Sequence, residues 1–291
     1  MLGSIRAITP ESKGLDASLW FGLRGAGGNN FGIVTKLTFA LEDSPPRTVF
    51  FDMHYNTPEE CAQALLTYQQ LGSLPATDPN SLSTLLSGEL DVLAIPGDFC
   101  RLRGMYMGSL DDFNETLSTY TEALSSNGIY YDTSLSKVLA YDDYLGALSE
   151  AMQGFGGINA TELHMYGYVR SLLDDGAYNL TPDSARAIMY SHAKAQPDDG
   201  SYVVQTEFAL SGPASALSRP PRYGSMAFSH LNNIFISQML SIPFPVQGTT
   251  AYWDGVSRMS SLLDAMKAAA GQGSTKVWYG YQNYMVSHLL L

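Results

Sequence analysis

Val49-Phe50-Phe51-Asp52-Met53-His54-Tyr55-Asn56-Thr57-Pro58-Glu59-Glu60 passes from one kind of chain to another within a few residues. Val49 to His54 reads as a strand, rich in the aromatic and apolar residues that suit a pleated surface. Thr57-Pro58-Glu59-Glu60 is a helix start: threonine as N-cap, proline at the first position, glutamate three residues after the cap. Cys61, Leu65, Tyr68 and Leu71 then recur on one helical face. A loop runs to Asn80, and a strand-like region covers about Leu82 to Ile95. Pro96-Gly97-Asp98 has the residue order of a type II turn, after which Phe99 to Met107 returns as a strand. Ser109-Leu110-Asp111-Asp112 caps a second helix, whose apolar face carries Phe113, Leu117, Tyr120 and Leu124.

The same succession follows again. Tyr141 to Met152 is a short amphipathic helix ended by Gly154-Phe155-Gly156-Gly157. Leu163 to Leu172 reads as a strand, and Thr181-Pro182-Asp183 caps a helix with Ala185, Ile188, Met189 and His192 inward. Tyr202 to Leu210 is a strand. A loop with Pro213, Pro220 and Pro221 leads to strand-like Ser225–Phe228 and an apolar stretch from Ile234 to Leu240. Thr250 to Ala270 is the longest helix, and Thr275 to Met285 is a last strand carrying Trp278, Tyr279, Tyr281 and Tyr284. The order β-α-β-β-α thus occurs twice, from Val49 to about Ser126 and from Leu163 to about Ala270. Two tandem split β-α-β units of the ferredoxin type predict an α+β fold: a large, mostly antiparallel sheet with helices on one face. The opposite face then needs a cover, and an open sheet of this kind is an interface or the wall of a binding site.

Composition narrows the function. The 291 residues are 45% hydrophobic and only 15% charged, with a net charge of −12, so the chain has enough apolar residues for a real core. That charge argues against nucleic acid and against anionic membrane surfaces, both of which need clustered Lys and Arg. No apolar run approaches a membrane span, and Met1-Leu2-Gly3-Ser4-Ile5-Arg6 has no signal-peptide core. Cys61 and Cys100 read as two buried free thiols, with a single bridge as the alternative. Sequons stand at Asn114, Asn159 and Asn179, a weak hint of secretion.

N-terminal to the first strand, Gly25, Gly27, Gly28 and Gly32 fall within eight residues, and Ile33, Thr35, Leu37 and Phe39 then alternate with Val34, Lys36 and Thr38. That reads as a glycine loop opening into a strand. It is either a cradle for a phosphate or flat ring, or a tight turn between two core elements. Asp43-Ser44-Pro45-Pro46 breaks the chain and sets the expected domains: 1–44, 45–272 and a C-terminal strand in 273–291. Other chemistries find no support. The five histidines show no metal-ligand spacing, Gly-x-Ser-x-Gly is missing, and the glycine loop lacks the Lys-Ser/Thr of phosphoryl transfer.

Trp20-Phe21-Gly22-Leu23-Arg24-Gly25-Ala26-Gly27-Gly28-Asn29-Asn30-Phe31-Gly32-Ile33-Val34-Thr35 resembles the tryptophan–arginine–polyglycine signature of the FAD-linked oxidases of the berberine bridge enzyme family, which includes glucooligosaccharide oxidases. Tyr281-Gln282-Asn283-Tyr284 is similar to that family's Tyr-x-Asn-Tyr motif, and weaker matches stand at Gly104–Gly108, Tyr168–Leu172 and Ala227–His230. The resemblance implies a flavoprotein oxidising an alcohol or C–H group of a sugar or secondary metabolite by hydride transfer, with O₂ as electron acceptor. It also implies secretion. By position, Gly25, Gly27, Gly28, Asn30, Phe31, Gly32, Ile33, Val34 and Asn283 would line the FAD. Tyr281 and Tyr284 would stand at the reacting centre, with Glu207 as a partner for a phenol whose free pKa near 10 is too high to act alone. The family's main pyrophosphate loops and its flavin-linking His and Cys have no counterpart here, so residues 1–44 read as the end of an FAD domain. The expectation is weak FAD binding, or none, by this chain alone. The alternative is a catalytically inactive α+β module whose open sheet binds a partner.

Overall fold

The computed structural model describes residues 5–25, 31–39, 41, 43–75, 77–78, 80–82, 85–153, 170–173, 180–196, 202–210, 235–243, 249–271 and 279–280. The elements are α1 (Leu15–Leu23), β1 (Thr48–Tyr55), α2 (Pro58–Ser73), β2 (Leu86–Ile95), β3 (Asp98–Tyr106), α3 (Leu110–Ser125), β4 (Asp132–Tyr141), α4 (Tyr144–Gln153), β5 (Arg170–Leu173), α5 (Pro182–Ala195), β6 (Tyr202–Leu210), β7 (Phe235–Pro243), α6 (Thr249–Gly271) and β8 (Tyr279–Gly280). The eight strands form one sheet in the order β4-β1-β3-β2-β6-β7-β5-β8, and every pairing is antiparallel.

This order is two ferredoxin-like units placed back to back. In the first, β1-α2-β2-β3-α3-β4 gives the spatial order 4-1-3-2; in the second, β5-α5-β6-β7-α6-β8 gives its mirror, 2-3-1-4. The join is β2 against β6, where Asp91 stands opposite Glu207 and Leu90 opposite Phe208. The sequence reading held for the repeated β-α-β-β-α order and lacked the fourth strand of the first unit. Asp132–Tyr141 escapes a period-2 search because it is an edge strand with mostly exposed residues on both sides, Leu135 and Leu139 among them.

Local chemistry fixes the helices. The Thr57 hydroxyl accepts from the Glu60 N–H at 3.2 Å and the Glu60 carboxylate accepts from the Thr57 N–H at 3.0 Å, a complete capping box. Thr181 and Ser184 repeat it for α5, with Pro182 at the first position. Helices α2, α3, α5 and α6 lie against one face of the sheet. Val49, Phe51, Met53, Leu90, Leu102 and Phe208 from the strands are at most 3% exposed and meet Leu65, Tyr68, Phe113, Ile188 and Met259. Each such burial contributes roughly 1.5–3 kcal/mol. Gln69 of α2 spans the two units, donating to the Leu180 carbonyl at 3.2 Å and accepting from the Leu180 N–H at 2.7 Å.

Two expectations are corrected. Cys61 and Cys100 form a disulfide, tying the first turn of α2 to β3 across a separation of 39 residues. Spacing alone hides this, because the β2–β3 hairpin is what carries Cys100 back under the helix. The strand expected after the glycine loop is not formed: residues 31–39 join no ladder among the described residues. Ile33 is 93% exposed, Leu37 68% and Phe39 76%. Alternation makes a strand only where a neighbouring edge accepts its backbone bonds, and none does so among the described residues.

Candidate functional site

Alternation along the central strands sends every second residue to the face away from α2, α3, α5 and α6, and the middle of that face is ionisable. Two cross-strand rows result. One is Lys137 (β4), Asp52 (β1), Arg103 (β3) and Glu89 (β2); the other is His54 (β1), Arg101 (β3), Asp91 (β2) and Glu207 (β6). Helix α4 covers the β4–β1–β3 end of this face: Glu150 meets Lys137 at 3.4 Å, and Arg103 Nη2 donates to the Ala151 carbonyl at 2.6 Å. A cation at the carbonyl end of a helix is well placed against its dipole.

Asp91 is the most deeply buried of the set. Its side chain is fully shielded, Arg101 Nε lies 3.4 Å from its Oδ2, and neither oxygen has a hydrogen bond of good geometry among the described residues. Burial, reinforced by the Glu89 charge, pushes its carboxyl up to about 7 against the pull of Arg101 and Arg103. Glu207 stands opposite it; burial and the neighbouring Asp91 and Glu89 charges push it up to about 8. Gln205 Nε2 donates to Glu207 Oε1 at 3.1 Å. Glu89 is also raised by burial, with Arg103 and Arg101 opposing. Burial thus raises both the Asp91 and the Glu207 carboxyl toward neutrality, and buried carboxyls raised in this way can give or take a proton.

His54 sits at the outer end. Its Nδ1 is 2.8 Å from Asp98 and its Nε2 is 3.3 Å from Asp52, whose other oxygen is 3.9 Å from Arg101. Burial lowers the imidazole's pKa, but the hydrogen bonds and charges of Asp52 and Asp98 outweigh it and hold it at about 9. His192 is the opposite case: on the helix face, with Nε2 at 2.6 Å from Thr206 Oγ1, burial alone pushes it down to about 3. It is a neutral core histidine. No group of three or more His, Cys, Asp or Glu suited to a metal ion occurs among the described residues.

The sequence-predicted site residues divide as follows. Glu207 lies on the ionisable face, at the β6 end of its second row and at the centre of the sheet. Tyr281, Asn283 and Tyr284 lie outside the described residues, as do Gly27, Gly28 and Asn30; β8, just before Tyr281, is three strands from β6. Gly25 and Gly32 have φ of 139° and 129°, which glycine alone adopts without strain. Phe31 turns back so that its ring lies on Gly22 of α1, while Arg24 stacks 5.0 Å from the Trp20 ring. Ile33 and Val34 face solvent. Sequence reasoning passed over Asp52, His54, Glu89, Asp91, Arg101 and Arg103. The signal was a charge at every second position of Asp91 and Glu89, and of Arg101 and Arg103, inside strands otherwise apolar.

No family model matches the sequence. Among solved structures the chain is similar to a chitooligosaccharide oxidase, at 20% identity and a TM-score of 0.69, over 94% of this chain and 53% of that one. It is similar to the glucooligosaccharide oxidase of Acremonium strictum, whose FAD is described as 6-S-cysteinyl, 8α-N1-histidyl, at 16% identity and a TM-score of 0.65, over 84% of this chain and 48% of that one. It is similar to the BBE-like 1 protein of Physcomitrella patens, at 17% identity and a TM-score of 0.67, over 92% of this chain and 52% of that one. The chain spans about half the length of these structures, and over that half it has the fold of the oligosaccharide oxidases and berberine bridge enzyme-like proteins.

Proposed function

We propose that this chain is the sheet-bearing part of an FAD-linked oxidase acting on an alcohol or C–H group of a sugar or secondary metabolite, with O₂ as electron acceptor. The observation that carries the reading is the placing of Asp91 opposite Glu207 on the ionisable face at the centre of the sheet, in a fold shared with oligosaccharide oxidases. Oxidation of an alcohol releases a proton as the hydride leaves, and a buried carboxyl pair titrating near neutrality suits its capture. Tyr281 and Tyr284, with Asn283, are the proposed reacting-centre residues contributed by the segment after β8.

The described residues suit FAD in part. Gly25, half-buried, and Gly32, exposed, hold backbone in conformations that admit a close approach, and Phe31, Ile33 and Val34 offer an apolar strip for the edge of a flat ring, with Gly27, Gly28 and Asn30 beside it by position. Open space beside Gly32 leaves room for such a ring. No phosphate cradle occurs among the described residues. When bound, the flavin supplies the hydride acceptor. This chain's own part is to orient the substrate on the ionisable face, to exclude water with α4 at one end, and to take up a proton on the Asp91 or Glu207 carboxyl. The Cys61–Cys100 disulfide and the exposed sequon at Asn114 support an oxidising, secretory setting.

The purified chain tests this by thermal shift. Chitooligosaccharide or glucooligosaccharide at millimolar concentration is expected to raise Tm in wild type and not in Glu207→Gln, while added FAD has little effect and the protein carries no stoichiometric flavin absorbance. A Tm indifferent to both sugars overturns the oligosaccharide assignment. The second reading, an inactive partner-binding module, is favoured by the exposed apolar run from Ile33 to Leu41; a stable, colourless oligomer indifferent to sugars would establish it.

A further inference from the structure

Asn114-Glu115-Thr116 is the one sequon inside the described residues, and it lies on α3 rather than in a loop. The faces of α3 divide sharply. Phe113 stacks on Phe51 with ring centroids 5.2 Å apart and lies 5.7 Å from the Tyr106 ring, and Tyr120 and Leu124 continue that buried side. One residue on, about 100° round the helix, Asn114 is exposed, as are Asp111 and Glu115. Other asparagine amides are used by the fold: Asn56 Nδ2 donates to Asp132 at 2.8 Å, and Asn127 Nδ2 donates to the Ala123 carbonyl at 3.1 Å. The Asn114 amide has no such bond among the described residues.

We infer that Asn114 is an N-glycosylation site, taking an oligosaccharide from a polyprenyl-pyrophosphate donor.

The acceptor pattern is complete, with threonine in the third place and glutamate rather than proline between. The Cys61–Cys100 disulfide is an independent sign of a chain that folds under oxidising conditions, where such donors are used. The folded helix also has room. A helical side chain leans toward the N-terminus, so Asn114 lies over the turn that carries Leu110 and Asp111, both of them exposed. A bulky, polar sugar attached there displaces only water. Because α3 packs on the helix side of the sheet, through Phe113 on Phe51, the glycan leaves the ionisable face clear.

The transfer is a substitution at the anomeric carbon. The Asn114 amide nitrogen forms a bond to C1 of the first sugar as the bond from C1 to the pyrophosphate oxygen breaks. The lipid pyrophosphate leaves with the electron pair, and the amide proton passes to a base of the transferase; nothing is oxidised or reduced. In the folded chain the Thr116 hydroxyl is engaged by its own helix, donating to the Asp112 carbonyl at 3.2 Å. A transferase that reads that hydroxyl must therefore act before α3 closes. The folded protein carries the glycan and is not its acceptor.

This goes beyond the proposed oxidase reading and is tested without flavin or substrate. The chain is produced behind a secretion leader in a eukaryotic host, with Asn159→Gln and Asn179→Gln removing the other two sequons. Cell extract and medium are both probed, so that retained chains are read as well as exported ones. A slower-migrating form is expected, which peptide N-glycosidase collapses to the bare chain while converting Asn114 to aspartate, as identified by mass spectrometry. That form is expected to vanish in Asn114→Gln and in Thr116→Val and to persist in Thr116→Ser. Because transfer precedes folding, the result is read even from a variant that does not fold. An unmodified Asn114 in chains whose leader has been removed overturns the inference, and does so whether or not the protein proves to be an oxidase.

Discussion

The two faces of the sheet are made by the same strands and differ in almost everything else. On β1, Val49, Phe51, Met53 and Tyr55 point to the helices, while Asp52 and His54 point away. On β3, Cys100 and Leu102 oppose Arg101 and Arg103; on β2, Leu90 and Val92 oppose Glu89 and Asp91. The helix face is stabilised by burial and by one covalent tie. The other face buries Asp52, Asp91 and Arg103 almost as deeply and gains little from it, because desolvating ions costs about what pairing them returns. In the proposed reading, stability and proton handling are thus assigned to opposite sides of one sheet, separated by a single residue along each strand.

That division is broken most severely from the helix side. Replacing Cys61 and Cys100 together by alanine releases a loop of 39 residues in the unfolded chain and is expected to lower stability by about 4 kcal/mol, read from urea denaturation under non-reducing conditions. Gly104→Ala comes next. At Gly104 a Cβ would strike the Ser87 carbonyl oxygen and lie 2.6 Å from the Gly88 Cα and 2.9 Å from the Phe51 ring, so strands β2 and β3 would have to part where they cross the core. A loss of about 2–3 kcal/mol is expected in the same measurement.

The ionisable face is expected to answer pH rather than packing. Asp91 and Glu207 have folded-state values above their unfolded ones, so the folded state binds more protons, and stability falls as pH rises from the ordinary carboxyl range through about 7 and 8. His54 acts in the same direction. Its contribution is full below its unfolded value of 6.5 and is lost as pH rises through about 9. His192, pushed down to about 3, works the other way up to its unfolded 6.5, but by one proton against the two of Asp91 and Glu207, so Tm is still expected to decline from pH 5 to 9. Glu207→Gln should flatten the part of that decline below pH 8, by about 1–2 kcal/mol after allowance for solvent screening. A Tm that rises between pH 5 and 9 would contradict the arrangement.

Much of the helix face was legible in the sequence because each signal there is local. The Thr57 and Thr181 caps, the Cys61–Leu65–Tyr68–Leu71 stripe and the Pro96-Gly97 turn each depend on residues a few positions apart, and Gly97 has the φ of 82° that such a turn requires. The ionisable face was not legible, since its meaning lies in register. Nothing in the sequence says that Asp91 will stand opposite Glu207, 116 positions away, or that Arg101 will lie between Asp52 and Asp91. The bridge from Cys61 to Cys100 was hidden for the same reason, and β4 because an exposed edge strand carries little pattern. Residues 33–39 failed in the other direction: the pattern was present and, among the described residues, the partner strand was not.

That last region is where the smallest effect is expected, and it sharpens the contrast between the faces. Phe51 and Phe39 are both phenylalanines in alternating apolar stretches, yet Phe51 is fully buried and stacks on Phe113 with ring centroids 5.2 Å apart, while Phe39 is 76% exposed. Phe51→Ala would open a cavity in the core. Phe39→Ser and Leu37→Ser should each change stability by less than about 0.5 kcal/mol, because neither side chain leaves water when the chain folds. Their effect belongs to association instead. If the run from Ile33 to Leu41 meets other protein surface, the double variant should remain monomeric in sedimentation at concentrations where wild type self-associates, with an unchanged denaturation midpoint. A large loss of stability in Phe39→Ser would mean that this run packs on the folded chain in solution, and that the alternation read from its sequence does form a core strand after all.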